Sequence, residues 1–226
     1  MTVEDPRRPP PCLEQEAAQA VTAVEVTKEK VVCLLRGVGI RKATGPDDVS
    51  PRTLKHCTSE LAGTLFQVFK DYLEENTWPS VWKEAQVMPV HKSARMESRN
   101  YRPISFLPVV SKVFERVVAD EVCRYLDDNL LSNQQFGFRA GQSTSDLLLL
   151  PSHDWQDALD GSLDTLVVAL DIAGAFDRVW YAGLLEKLHA KGIQGDLLHL
   201  LSDYLPMLAS VPQGSVLDPI LWNLCG

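Results

Sequence analysis

An excess of positive charge is missing from this chain: 22 lysines and arginines stand against 30 aspartates and glutamates, a formal net charge of −8. A generic nucleic-acid coat protein is normally basic, so that class is disfavoured. An enzyme acting on nucleic acid is not excluded, because it can gather positive charge on one surface. Paired cysteines are missing too. The five present (Cys12, Cys33, Cys57, Cys123, Cys225) are scattered, odd in number and without a CxxC pair. They signal neither a zinc ribbon nor a disulfide framework, and they suit a reducing intracellular compartment. No apolar run is long enough to span a membrane, and MTVEDPRRPPP lacks the apolar core of a signal peptide. Neither secretion nor a membrane partner is expected. What is there is globular in composition, with 226 residues, 45% hydrophobic and 23% charged. That suffices for one large domain or two small subdomains with a real core.

Residues 1–26 are Pro-rich and then polar, and read as a flexible N-terminal segment. Thr27 can cap a helix with Val31, Val32, Leu34 and Leu35 on its apolar side and Lys30 on its polar side, ending at Gly37 and Gly39. KATGPDDVSP is turn chemistry. Leu61, Leu65, Val68, Phe69 and Leu73 repeat at helical spacing, Trp78-Pro79 closes that helix, and AQVMPV (85–90) reads as a short strand stopped by Pro89. The stretch HKSARMESRNYRP (91–103) has no apolar period. Lys92, Arg95, Arg99 and Arg102 face a single Glu97, so the loop is locally basic. Two readings stand: a solvated loop, or a cradle for an anionic ligand such as a phosphate.

The tetrapeptide YLDD (125–128) offers two adjacent carboxylates, the residue type that holds divalent cations around a phosphoryl group. Its context argues against that role. Val113, Phe114, Val117, Val118, Val122, Tyr125 and Leu126 step by threes and fours, so Asp127 and Asp128 close an amphipathic helix. A catalytic carboxylate pair needs a rigid strand or hairpin. YLDD is read as a surface helix terminus. QQFGFRAGQSTSD (134–146) then leads through Gly137 and Gly141 to a further helix containing Leu147–Leu150, Trp155 and Leu159.

LVVALDIAGAFDRVW (166–180) opens with a continuous β-rich run, Leu166–Leu170, that fits a buried central strand. Asp171 ends it, and a carboxylate there is either hydrogen-bonded or a cation ligand. Asp177 opens the next segment and serves equally as a helix cap or a catalytic group. Helices are expected near 180–190 and 195–204. In VPQGSVLDPILWNLCG, Pro212-Gln213-Gly214 is a tight turn and Ser215 a helix cap.

RKATGPDDVSP, WKEAQVMPVHK, NYRPISFLPVVSKVFERVV, QQFGFRAGQSTSD, ALDIAGAFDRVW and VPQGSVLDPILWN occur in that order. Together they resemble the fingers and palm of a reverse transcriptase, the RNA-directed DNA polymerase of jockey-like non-LTR (LINE-type) retrotransposons. The resemblance covers roughly Thr27 to the end. It implies an α+β right-hand polymerase fold: fingers over 27–163 with the basic loop 91–103, a partial palm over 164–226, and no thumb. It implies that Asp171 is the first catalytic aspartate and holds Mg2+, with the Ile172 carbonyl as a second ligand. Phe176 matches the aromatic gate that selects deoxynucleotides, and Arg102 the arginine that clamps the incoming triphosphate, with Lys92 assisting. Gln213 and Gly214 match the turn lining the nucleotide pocket and template. An RNA template, a DNA primer and dNTPs are the implied partners, and the reaction is attack of the primer 3′-hydroxyl on the α-phosphorus with release of pyrophosphate.

Three departures qualify the resemblance. The family's aromatic-x-Asp-Asp hairpin follows the PQGS helix, and this chain reaches Gly226 before it; YLDD lies too far upstream to replace it. Only LPMLAS separates Tyr204 from Val211, where relatives carry a hairpin needing about a dozen residues. Asp218 stands where relatives usually carry glycine. The resulting expectation is a reverse-transcriptase domain that is incomplete and inactive alone. The alternatives are a non-catalytic nucleic-acid-binding remnant or a translated pseudogene product. An unpaired strand edge at Leu166–Leu170 would favour self-association.

Overall fold

The computed structural model describes residues 9–10, 13–14, 19–91, 101–129, 134–170, 179–205 and 214–225, the side chains of Arg102, Asp128, Asn129 and Cys225 excepted. Helix α1 (Lys28–Gly37) starts as its sequence dictates, with the Thr27 hydroxyl accepting from the Lys30 amide at 3.1 Å. Val31 and Leu35, one turn apart, are fully buried. Lys30 departs from the expected polar face: its ammonium donates to the Val117 carbonyl at 3.1 Å, which ties α1 to the helix beneath it. A long side chain can cross an apolar seam when a carbonyl waits on the far side.

A short helix α2 (Pro51–His56) is capped by Ser50 and has proline in its first turn, where a missing N–H costs nothing. Helix α3 (Thr58–Glu74) buries Ala62 and Phe69 completely, and a single 3-10 turn, Ser80–Trp82, follows it. Strand β1 (Gln86–His91) pairs antiparallel with β2 (Tyr101–Phe106), and this two-stranded ribbon is the only sheet among the described residues. Pro89 does not stop β1. It sits opposite Pro103 in register, and a ribbon with two free edges tolerates residues that cannot donate to the ladder. NYRPIS, expected in an irregular loop, thus contributes a strand from Tyr101 onward.

Helix α4 (Val109–Asn129) is the spine of the core, with Phe114, Val117, Val118, Ala119 and Val122 fully buried. Each larger apolar side chain among them is worth about 1.5–3 kcal/mol on burial. Phe114 meets Phe69, Trp78 and Trp82 at ring-centroid distances of 5.1, 4.6 and 5.5 Å, an aromatic knot joining α4 to α3 and the 3-10 turn. YLDD is the last turn of α4, as expected. Tyr125 and Leu126 face inward, and Asp127 pairs on the surface with Arg139 at 3.2 Å.

Helix α5 (Thr144–Asp160) opens on a capping box between Ser143 and Asp146 but buries none of its residues. Pro151 lies in its interior. Helices α6 (Tyr181–Ala190), α7 (Gly195–Tyr204) and α8 (Asp218–Cys225) complete the core; α6 packs on α7 and α8, α3 on α7, and α4 on α1 and α8. Residues 19–26, expected in a flexible segment, are docked. Val21 donates to the Gly192 carbonyl and accepts from the Gln194 amide, and the Tyr125 hydroxyl lies 2.7 Å from the Gln19 carbonyl and 2.8 Å from that of Lys191.

One expectation fails. Leu166–Leu170 carries no strand pairing among the described residues, and Leu166 and Leu170 are 88% and 92% exposed instead of buried mid-sheet. An apolar β-rich run favours a strand but does not supply a neighbour to pair with, and β1 and β2 pair only with each other. The fold is a helical assembly with one small sheet, an α+β arrangement.

A cationic groove as candidate functional site

Two glycines bring distant parts of the chain into backbone contact. A Cβ on Gly45 would lie 2.6 Å from both Cα and N of Pro108, so the KATGPDD turn rests directly on the chain leaving β2. A Cβ on Gly214 would lie 2.8 Å from the Ser105 carbonyl oxygen, and Gly214 has φ +125°. Only glycine fits both that conformation and that approach. The chain at Gly214 is thereby held against β2, the strand that carries Arg102 opposite Val90.

Between these contacts runs a groove of about 760 Å³, formed by the end of α1, the KATGPDD turn, α4, the Phe138 loop and the turn from Gly214 to Ile220. Among the described residues lining it, the charged ones are Lys42, Lys112 and Arg116, all basic. Lys112 and Arg116 are one helical turn apart and so project from the same side of α4. Burial holds the Lys112 ammonium below its usual range, and Lys42 nearby adds to that effect while Glu115 opposes it. Like charges gathered at a half-buried position favour an anion between them.

The wall beneath the groove is fixed by a carboxylate. Glu115 is fully buried, and its Oε2 accepts from the amides of Val216 at 2.6 Å and Leu217 at 3.4 Å, a hundred residues away in sequence. Ser111 donates to its Oε1 at 3.4 Å. Burial pushes the Glu115 carboxyl above its usual range despite those amides. Ser215 caps α8 as expected, its Oγ accepting from Leu217 at 3.1 Å and Asp218 at 3.2 Å while meeting the Tyr204 hydroxyl at 2.7 Å. Asp218 is pushed up to about 8 by burial and then by Glu115, which the nearby Ser215 offsets only in part.

Of the residues that the resemblance assigns to the site, Gly214 is described in contact with β2, and the backbone of Arg102 lies three residues before the carbonyl that Gly214 meets. Lys92, Asp171, Ile172, Phe176 and Gln213 lie outside the described residues, as do Asp177 and Pro212. Among the described residues no group of three or more His, Cys, Asp and Glu side chains is arranged to hold a metal ion. Sequence reasoning missed Lys42, Lys112, Arg116 and Glu115. The spacing of Lys112 and Arg116 inside SKVFER was a usable signal for a basic helix face, whereas nothing local marks Glu115 as buried.

The family model described as reverse transcriptase (RNA-dependent DNA polymerase) matches residues 90–225, more than half of the sequence. The chain belongs to the reverse transcriptase family. It is 30% identical to the RNA-directed DNA polymerase from mobile element jockey of Drosophila melanogaster, over 94% of this chain and 25% of that protein. It is 29% identical to the probable RNA-directed DNA polymerase from transposon BS of the same fly, over 94% of this chain and 26% of the relative. Identity to the corresponding X-element protein is 33%, over 81% of this chain and 22% of the relative. The chain therefore spans about a quarter of the length of these curated relatives. This reverse-transcriptase domain is similar to those of non-LTR retrotransposons, and Phe138, Gly214 and the SKVFER cations fall within the matched region.

Proposed function

We propose that this chain acts in RNA-templated DNA synthesis, as the fingers and part of the palm of a non-LTR reverse transcriptase. The observation that carries the reading is the convergence of four separated blocks, KATGPDD, SKVFER, QQFGFRAG and GSVLDPI, on one groove whose charged lining, among the described residues, is basic. The fingers comprise 27–163 and the palm portion 164–226. Lys42, Lys112 and Arg116 hold the phosphates of a nucleic-acid strand. Arg102, with Lys92, clamps the dNTP triphosphate from the β2 side, where a guanidinium fork suits phosphate oxygens. Gln213 and Gly214 line the nucleotide pocket, and the bare Cα of Gly214 permits close approach. Phe176 rejects a ribose 2′-hydroxyl.

Asp171 and the Ile172 carbonyl fit a hard divalent cation by donor chemistry, and Mg2+ bound there would supply charge stabilisation at the reacting phosphate. The other residues bind and orient. The exposed apolar run Leu166–Leu170 supports pairing with a second copy of the chain. Val168→Lys, which places a charge on that run, should shift sedimentation toward the monomer.

A non-catalytic nucleic-acid-binding role is favoured by a separate observation: Lys42, Lys112 and Arg116, the charged residues of the groove among those described, are all basic. Binding of a single-stranded RNA oligonucleotide across salt concentrations tests the groove under either reading. Replacing Lys42, Lys112 and Arg116 with Ala should make the log–log salt slope shallower by about 2, three contacts at roughly 0.7 each. Asp171→Asn should leave binding unchanged. An unaltered slope in the triple variant removes the groove from nucleic-acid binding.

A further inference from the structure

Two buried acids meet where the Gly214 turn enters α8. Asp218 is 3% exposed, and neither of its carboxyl oxygens has a hydrogen-bond partner. Glu115, wholly buried beside it, receives the amides of Val216 and Leu217 and the Ser111 hydroxyl. Two neighbouring carboxyl groups in a low-dielectric site do not both ionise. Amide donors favour the charged form, so the charge belongs on Glu115; the Asp218 oxygens have no hydrogen bond of good geometry and only Ser215 close by, which burial outweighs, so the proton belongs on Asp218. The other groups facing the pair agree with this division. Lys112 on α4 favours charge on Glu115, with Lys42 behind it, and burial keeps the Tyr204 phenol on α7 neutral.

We propose that Glu115 is the positioning residue of the Gly214 turn, and that Asp218 holds the pair's single proton, so that the seat of the turn on β2 depends on pH. With Asp218 neutral, Glu115 is free to anchor the two amides that follow Ser215, and Gly214 lies on the Ser105 carbonyl. With Asp218 ionised, repulsion loosens the anchor and places negative charge under the cationic groove. The effect on nucleic-acid binding rests on the function proposed above; the effect on the turn does not.

The sign follows from the proton count. Asp218 is protonated in the seated turn up to about pH 8, whereas a released, solvated aspartate ionises near its ordinary value of about 4. Seating therefore weakens as pH rises between those limits and levels off above the upper one. Hydrogen exchange of the Val216 and Leu217 amides in the full chain reads this directly, corrected for intrinsic exchange and compared with Val118 in α4. Protection should fall across pH 5–8, by up to about tenfold per pH unit, and flatten above it. Asp218→Asn should abolish the slope. Glu115→Ala should strip protection at every pH, and Glu115→Gln should restore part of it. A flat wild-type profile, or an Asp218→Asn slope equal to wild type, overturns the proposal. Should Glu115→Ala fail to fold, the Asp218→Asn profile still decides. Binding of the RNA oligonucleotide, followed in parallel, should weaken between pH 7 and 9, with the Asp218→Asn variant separating Asp218 from titration of Lys112. If that oligonucleotide binds at no pH, the groove reading fails while the amide profile still tests Glu115 and Asp218.

Discussion

Replacing Gly214 with alanine probes the contact on which the site depends. At φ +125° a side chain is strained whatever space surrounds it, at a cost of about 1–3 kcal/mol. The new methyl would also lie 2.8 Å from the Ser105 carbonyl oxygen, which belongs to backbone and cannot swing aside. Overpacking of that kind adds about 1–3 kcal/mol, for a total of about 2–6 kcal/mol. Gly37→Ala is the control, because nothing lies within 4 Å of its added Cβ and alanine is the better helix former by about 0.5–1 kcal/mol. Urea unfolding followed by tryptophan fluorescence reads both. Gly214→Ala should lower the midpoint by roughly 0.7–3 M, at a slope of about 2–3 kcal/mol/M, while Gly37→Ala holds or raises it. A Gly214→Ala midpoint equal to wild type would mean that the turn does not rest on β2, and the site built from that contact would fall with it.

Two further outcomes follow from the hydrogen bonding. Asp203 accepts from the Trp78 amide at 2.6 Å and pairs with the nearly buried Lys83 at 2.9 Å. Asp203→Ala should cost about 2–3 kcal/mol, less than a fully buried pair because the carboxylate is partly solvated. Burial would raise the Asp203 carboxyl, but the Trp78 amide and Lys83 outweigh it and hold it below its usual range. Its contribution is thus fully present above about pH 4 and is lost as pH falls through the lowered carboxyl value, so the stability gap between wild type and variant should narrow steadily as pH is taken below 4. Tyr125→Phe removes the hydroxyl between the Gln19 and Lys191 carbonyls. It should cost about 1 kcal/mol and speed proteolysis within 19–26, measured by the lag before cleavage.

What the sequence revealed was local, and what it hid was tertiary. Thr27, the spacing of Val31 and Leu35 and the glycines after them placed α1, because cap and stripe lie within one segment. YLDD was recognised as a helix end for the same reason. β2 was missed because Tyr101–Phe106 looks irregular alone, and only the ribbon that pairs Pro103 with Pro89 makes it a strand. Leu166–Leu170 erred in the opposite direction, with strand chemistry and no described neighbour. Glu115 was invisible because its partners, Val216 and Leu217, are a hundred residues away. The family blocks were legible as an ordered set, and the fold subsequently drew four of them onto one groove. The cations lining that groove lie inside those blocks, but spacing alone did not distinguish them from solvated charge.

RNA-templated primer extension tests the central claim most directly. Residues 27–226 would replace the aligned stretch of the jockey polymerase, and extension of a DNA primer with dNTPs and Mg2+ would be compared with an Asp171→Asn version. The account predicts extension by the chimera, abolished by Asp171→Asn and reduced when Lys42, Lys112 and Arg116 become Ala. Extension that survives Asp171→Asn, or a folded chimera that extends no primer, would contradict it.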